Sequence, residues 1–413
     1  MTENESAPVA VVGIGADGWD GLSPAARQAV AGAEVVLGSR RQLELLGSVG
    51  DGHLGHGAEH VEWPSPLVPA LPALFERFAG RLVCALASGD PMFFGLGSTL
   101  CRVLGPDRIE VHPHPSSVSL ACARLRWPVQ EVTVVSTVGR PLDRMRAWAA
   151  PGRRILVLTS TPDGPGQVAG VLTELGYHDS ELTVLEQLGG PAERIRSGHA
   201  GDWHETPGDP LAVVAVRCVA DPGTVGLALV PGLPDDTFEH DGQLTKREIR
   251  AVTLARLAPL PGQLLWDVGA GSGSIAIEWL RAEQSCTAVA VERDPVRAAR
   301  IGRNAAALGV PALRVVTGAA PAALADLEPP STVFIGGGVT VDGVLADCWS
   351  ALRTGGRLVA NGVTVQAEGL LADWYERHGG TLTRLQVQRA APVGGFTGWR
   401  SAMPVTQWVA EKP

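Results

Sequence analysis

Asp267-Val268-Gly269-Ala270-Gly271-Ser272-Gly273 follows the apolar run Leu264-Leu265-Trp266 and precedes a helical pattern over 275–281. Strand, glycine turn and helix in that order predict a parallel α/β unit whose loop approaches a ligand. Glycine lets the backbone turn sharply and come close to a group that a Cβ would block, and the helix start behind it offers free N–H groups. Glu292 closes the next apolar run, Ala288-Val289-Ala290-Val291, about 20 residues further on, where a carboxylate can accept both hydroxyls of a ribose. Together these residues predict an adenosine-type cofactor. NAD is the rival, but the spacing is Gly-x-Gly-x-Gly rather than Gly-x-Gly-x-x-Gly, and Asp267 stands where dinucleotide folds usually carry an apolar residue. A carboxylate at that point could hold a cationic amino-acid group.

Around this motif, strand-like segments at 264–268, 287–291, 313–316, 332–335 and 357–360 alternate with Ala-rich helical stretches, a doubly wound pattern. A helix over 245–257 precedes them, with Thr245 as its N-cap, Glu248 three residues on, and Ile249, Val252 and Leu257 on one apolar face. Upstream, Asp221-Pro222-Gly223 and Pro231-Gly232-Leu233-Pro234-Asp235-Asp236 supply turn residues in quick succession and mark a linker. The boundary is placed near residue 225, giving domains 1–225 and 226–413. The first half reads as α/β as well, with β-branched runs at 9–12, 82–87, 132–135, 155–158 and 211–216. The halves begin with different glycine signatures, so they read as unrelated domains rather than a duplication.

The chain has 413 residues, and that length alone predicts two or three domains. Apolar residues at 45% exclude a disordered chain, and Gly 51 with Pro 31, spread without a period, predict many tight turns. A net charge of −9 and the lack of a Lys/Arg block make nucleic acid a poor partner and a small molecule the better one. The six cysteines form no C-x-x-C pair, which fits a reducing cytoplasm and signals neither zinc nor disulfides. His53, His56 and His60 have ligand-like spacing but lie in a glycine-rich loop with no cysteine nearby, so no metal is expected. No signal peptide and no membrane span are read.

The motif at 267–273 with Glu292 resembles class I S-adenosylmethionine (SAM) methyltransferases. The resemblance implies that Asp267, Gly269, Ala270, Gly271, Ser272 and Gly273 face the methionine and ribose parts of SAM and that Glu292 takes the ribose hydroxyls. The acidic residue that such enzymes usually offer to adenine is missing after Val315-Val316-Thr317-Gly318, so that contact falls to the backbone of Ala319 or Ala320. Residues 231–405 resemble the decarboxylating precorrin C15-methyltransferases of cobalamin biosynthesis. The resemblance rests on Gly232-Leu233-Pro234-Asp235-Asp236-Thr237-Phe238, Leu244-Thr245-Lys246-Arg247-Glu248-Ile249-Arg250, Phe334-Ile335-Gly336-Gly337-Gly338 and Gly355-Gly356-Arg357-Leu358-Val359-Ala360-Asn361. It implies that the Pro-Asp-Asp and Thr-Lys segments close over the methyl end of SAM, with Thr245 beside the cofactor.

In the first half, Val11-Val12-Gly13-Ile14-Gly15-Ala16-Asp17-Gly18 and Leu86-Ala87-Ser88-Gly89-Asp90-Pro91-Met92-Phe93-Phe94-Gly95 are glycine turns after strands. The second joins a flexible Gly, an acid and a φ-locked Pro in one turn, a combination that usually carries function. With Pro115-Ser116-Ser117-Val118-Ser119-Leu120-Ala121 and Glu186-Gln187-Leu188-Gly189-Gly190-Pro191-Ala192-Glu193-Arg194-Ile195, they resemble the tetrapyrrole methylases, a class III SAM fold, over most of 8–218. Within that family the likeness is to precorrin C5-methyltransferases. It implies SAM in a cleft between two α/β lobes, against Gly89, Asp90, Pro91, Ser116 and Ser117, with substrate near Gly13 and Gly15. Ala16-Asp17 stands where many relatives have Pro-Gly, and His114 where the turn before Ser-Ser usually has Gly.

Two unlike methyltransferase folds in one chain resemble the bifunctional precorrin-6B C5,15-methyltransferases. The resemblance implies methylation at C5 by the first domain, methylation at C15 with loss of CO2 from the C12 acetate by the second, precorrin-8 as product and SAM as the one cofactor. A polyacidic tetrapyrrole substrate for a net-acidic protein predicts local cations. Lys246, Arg247, Arg389 and Arg400 are the candidates, with Asp235 in the closing segment, and a homo-oligomer is expected. The alternatives are a methyltransferase acting on RNA or protein, against which the acidic charge weighs, and a SAM-binding regulator.

Overall fold

A computed structural model of the chain describes residues 7–47, 57–204 and 207–413. The chain falls into two units, one running up to Leu142 and joined by Pro151–Thr224, the other made of Asp143–Ala150 and Val225–Pro413. Each has its own sheets and core.

In the first unit, β1 (Val9–Ile14), β2 (Val35–Gly38), β3 (Glu59–Glu62), β4 (Val83–Ser88) and β5 (Ile109–His112) form a parallel sheet in the order β3-β2-β4-β1-β5. A second sheet, ordered β6-β7-β10-β8-β9, joins β6 (Val132–Ser136), β7 (Arg154–Leu158), β8 (Glu181–Glu186), β9 (Arg194–His199) and β10 (Ala212–Arg217). Only β6 and β7 run parallel there; the other pairs are antiparallel. Val11, Val35 and Leu37 bury on one face of the first sheet and Val12, Ile14 and Val36 on the other, so β1 and β2 are apolar throughout, as strands covered on both faces must be.

The second unit carries a seven-stranded sheet in the order β13-β12-β11-β14-β15-β19-β16. Its strands are β11 (Leu264–Val268), β12 (Thr287–Glu292), β13 (Arg314–Thr317), β14 (Thr332–Ile335), β15 (Arg357–Gly362), β16 (Thr381–Leu385) and β19 (Val405–Glu411). The first five are parallel, and β19 runs antiparallel between β15 and β16. β17 (Gln388–Val393) and β18 (Phe396–Ser401) form a separate hairpin. Along β11, Leu265 enters the core under the helices Arg247–Leu257 and Ser274–Ala282, while its neighbour Trp266 enters the core on the opposite face with Leu345, Leu371 and Trp408. Each such side chain contributes about 1.5–3 kcal/mol by leaving water. The strand order reverses between β11 and β14, and at such a reversal a crevice opens beyond the carboxyl ends of the strands.

One helix start differs from expectation. The helix runs Arg247–Leu257, its N-cap is Lys246, and no side chain caps it. Thr245 lies one residue too early to cap, and its carbonyl is taken by Arg250 Nη1 at 2.6 Å. The buried face also turns away from Val252 onto Ile249, Arg250, Thr253, Leu254 and Leu257. Among the described residues no helix is long and apolar enough to cross a membrane. His53 and His56 lie outside the described residues, and His60 stands on β3.

Candidate active site

At the reversal, Gly269 has φ +70°, and a Cβ there would lie 2.5 Å from the Gly337 carbonyl oxygen. The loops after β11 and β14 therefore touch backbone to backbone, which only glycine permits. A cavity of about 730 Å³ opens beside them. Gly269, Ala270 and Gly271 line it, as do Glu292 at the end of β12 and Ala319 and Ala320 beyond β13. Thr245 and Lys246 line it from the start of the helix, and Arg389 lines it from β17.

Glu292 is buried and tied to the loop. Its Oε2 accepts from Gly271 N at 2.8 Å and its Oε1 from Asp294 N at 3.0 Å. Each carboxylate oxygen retains a lone pair for a further donor. Asp267 is 1% exposed; its Oδ2 accepts from Ala276 N at 3.1 Å and its Oδ1 has no hydrogen-bond partner among the described residues. Burial pushes this carboxyl up to about 7; the Ala276 N–H opposes the rise and the Glu292 charge adds to it.

Several expected residues do not line the cavity. Ser272 is buried, with its carbonyl accepting from Asn304 Nδ2 at 3.0 Å, and Gly273 caps the helix Ser274–Ala282. Asp267 supports the loop without lining the cavity. Arg247 is not among the lining residues, and Arg400 stands opposite Arg389 in the β17/β18 ladder. Asp235 does not line it either but is held by Arg250 at 3.2 Å and Lys246 at 3.8 Å.

Arg250, which sequence reasoning passed over, organises that segment. It is fully buried, and its Nε donates to Glu278 Oε1 at 2.6 Å while its guanidinium also meets Asp235 Oδ1, the Thr245 carbonyl and the Leu233 carbonyl. Glu278 in turn accepts from Gly232 N at 2.6 Å and Leu233 N at 3.0 Å. A buried cation and a buried anion thus fix the backbone that leads to Thr245. The signal was an arginine on the apolar side of an amphipathic helix. Arg293, Arg297 and Asn361 also line the cavity unforeseen. Arg297 pairs with Asp241 at 2.8 Å and, with the Gln243 N–H and Arg300, holds that carboxyl well below the usual carboxylate range.

In the first unit, the turns after β1, β4 and β5 emerge together, since Ile14 is in register with Ser88 and Val12 with His112. Gly89 N donates to the Ile14 carbonyl at 2.9 Å, and a Cβ at Gly13 would strike the Gly89 carbonyl oxygen and lie 2.9 Å from His114 N. Asp90 Oδ1 accepts from Met92 N at 2.8 Å, shaping the turn through Pro91. Ser116 caps the helix Ser117–Leu125 by accepting from Ser119 N at 3.1 Å. Gly13, Gly15, Gly89, Asp90, Pro91, Ser116 and Ser117 are thus gathered at the carboxyl ends of β1, β4 and β5. The two departures from the family pattern meet there: His114 Nε2 lies 3.2 Å from Asp17 Oδ1, and the His114 ring packs beside Gly15. His114 does not have positive φ, so the glycine it replaces is not missed.

Residues 8–203 match the tetrapyrrole (corrin/porphyrin) methylases, and residues 236–412 match the precorrin methyltransferase domain. The chain is 50% identical over 398 residues to the decarboxylating precorrin-6Y C(5,15)-methyltransferase of a Sinorhizobium species, spanning 96% of this chain and 95% of that one. It is 49% identical over 408 residues to the protein of the same name from Mycobacterium tuberculosis, spanning 98% of this chain and 100% of that one. A crystal structure of the C-terminal domain of precorrin-6Y C5,15-methyltransferase from Rhodobacter capsulatus is 44% identical and covers 45% of this chain and 100% of that one, with a TM-score of 0.43. With half of its residues shared over nearly the full length of both sequences, the chain belongs to the decarboxylating precorrin-6Y C(5,15)-methyltransferase family.

Proposed function

We propose that the chain converts precorrin-6B to precorrin-8, methylating C5 with residues 1–225 and methylating C15 with loss of the C12 acetate as CO2 with residues 226–413, and that SAM is the methyl donor in both. The observation that carries this reading is the cavity at the strand reversal, where the glycine loop, Glu292 and a set of cations converge. Its volume of about 730 Å³ is in the range of small-molecule sites.

The residues fit the donor. The Asp267 carboxyl lies buried behind the loop, where its charge favours a cationic group held on the cavity side, and Glu292 keeps lone pairs for ribose hydroxyls. The Ala319 carbonyl accepts from Ala323 N at 3.0 Å, and the backbone of Ala319 and Ala320 lines the cavity where an adenine edge would lie. Bound SAM supplies an electrophilic methyl group on a sulfonium. The protein's part is then to align the acceptor carbon in line with it and to exclude water. Lys246, Arg293, Arg297 and Arg389 line the same cavity and suit a polyacidic ring. In the first unit, Gly89, Asp90, Pro91, Ser116 and Ser117 take the second donor, and the turn carrying Gly13 and Gly15 faces the ring.

The test is to incubate the pure protein with precorrin-6B and isotopically labelled SAM and weigh the product. Two methyl gains and one CO2 loss are expected; no gain at all would refute the reading. Glu292→Ala should weaken SAM binding in the second unit by about 10²-fold, because it removes charged acceptors from two hydroxyls. It should also abolish CO2 loss and leave the first unit's SAM affinity unchanged. Unaltered turnover would overturn the assignment of Glu292.

A further inference from the structure

Asn361 stands near the end of β15 and lines the cavity. Its partner in the ladder is Gln407 of β19, which is fully buried. Gln407 Nε2 donates to Asn361 Oδ1 at 2.9 Å and to Thr253 Oγ1 at 3.1 Å, and Asn361 Nδ2 lies 3.4 Å from the same hydroxyl. With Oδ1 engaged by Gln407, the Asn361 amide is locked in one orientation, and its NH2 group keeps an N–H that the network does not use. The arrangement is a poor way to stabilise a core. Gln407 Oε1 has no hydrogen-bond partner among the described residues, and a half-satisfied buried network is worse than an apolar one. What it does achieve is a neutral donor of fixed direction in the wall of the cavity.

The surroundings of that donor are apolar on the helix side. Ile249, one turn before Thr253 on the same face of the helix, lines the cavity, as do Val363 and Val405, which follow Asn361 and precede Gln407 by two residues and lie together at one end of the pair. Three of the cavity's four cations are held outside the network: Arg389 by Glu248, Arg297 by Asp241 and Lys246 by Asp235.

A carboxylate that must depart as CO2 is badly served by a guanidinium, because a bidentate ion pair stabilises the charged ground state that the reaction has to leave. A neutral N–H fixes the direction of the carboxylate without cancelling its charge, and apolar walls withhold the water that would do so. We infer that Asn361 is the donor that seats the carboxyl group lost as CO2, and that Gln407 and Thr253 are its positioning residues. This rests on the proposed function. In the step, the bond between the acetate methylene and its carboxylate carbon breaks, CO2 leaves, and the electron pair passes into the conjugated ring. A proton from solvent then adds to the methylene carbon and makes it a methyl group. The breaking bond must stand across the ring plane for its electrons to enter the π system, and one fixed donor sets that torsion.

The experiment compares the parent chain with Asn361→Ala, Asn361→Asp and Thr253→Val, each given precorrin-6B and labelled SAM, with methyl gain and CO2 loss followed separately by mass and SAM affinity measured by calorimetry. Asn361→Ala should slow CO2 loss by about 10²-fold, the usual cost of one oriented donor. Methyl gain should fall far less and SAM affinity should stay unchanged, so that a methylated product still holding its carboxyl group accumulates. Asn361→Asp should fail in the same way, since it presents an acceptor where a donor is needed, and Thr253→Val should fall between it and the parent. If Asn361→Ala loses SAM affinity, the ratio of CO2 loss to methyl gain in Thr253→Val decides instead. CO2 loss that keeps step with methyl gain in the variants, or that Asn361→Asp retains, overturns the inference alone. A parent chain that neither gains methyl nor loses CO2 overturns the proposed function and this inference with it.

Discussion

Asp267 is a buried carboxyl with one oxygen satisfied by Ala276 N and the other without a hydrogen-bond partner among the described residues, and burial raises it to about 7. A cationic ligand group arriving at the loop favours the ionised form, so binding below that value must expel a proton. SAM affinity in the second unit should therefore rise as pH climbs toward about 7, by up to about tenfold per unit, and then level off. Calorimetry in buffers of different ionisation enthalpy would register the released proton, and Asp267→Asn should flatten the profile. A flat profile in the parent chain would show that the ligand does not sense this carboxyl. The residue was legible in the sequence as a candidate cation holder because it stands inside the glycine motif. Its titration was not, since that arises from tertiary burial and from Glu292 on a neighbouring strand.

The segment 231–246, whose one helical turn is the short 3-10 stretch Asp235–Thr237, shows how a connecting segment is held. Arg250 and Glu278 are both buried, and between them they engage the backbone of Gly232, Leu233 and Thr245. Arg250→Ala would leave Glu278 buried without its cation, and breaking such a pair costs about 3–5 kcal/mol. Urea denaturation followed through the tryptophans of the second unit should show that loss, and SAM affinity should drop with it because the path to Thr245 is released; wild-type stability would refute the role. Continuous apolar runs separated by helical stretches made the parallel strands β11 to β15 readable. The short β3, the hairpin β17/β18 and the edge strand β16 were not, since their burial is partial and their apolar signal correspondingly weak. The helix start was misplaced for a related reason: Thr245 has the right chemistry for a cap, but Arg250 claims its carbonyl and the helix begins later. His114 and Asp17 each looked like an isolated anomaly in sequence, and only the register of β1 with β5 shows that they are one pair.

At the scale of the chain, the two proposed donor sites on unlike folds predict two molecules of SAM per chain by calorimetry, falling to one in Glu292→Ala. Gly13→Ala supplies the reciprocal case: its Cβ would strike the Gly89 carbonyl, so methylation at C5 should be lost while CO2 release persists. Loss of both activities from that single change would argue against separate sites. The seven-stranded sheet carries a different consequence, for synthesis rather than catalysis. Val405–Glu411 sits between β15 and β16, and β16 finds its only ladder in that sheet through it. On a ribosome adding about 5–20 residues per second, the first unit has all its strands early, whereas the second waits with the flank of Arg357–Gly362 bare until Val405–Glu411 emerges. An uncovered flank invites pairing with another nascent chain, so a stall in translation between Ser401 and Val405 should yield aggregates rather than a shortened enzyme.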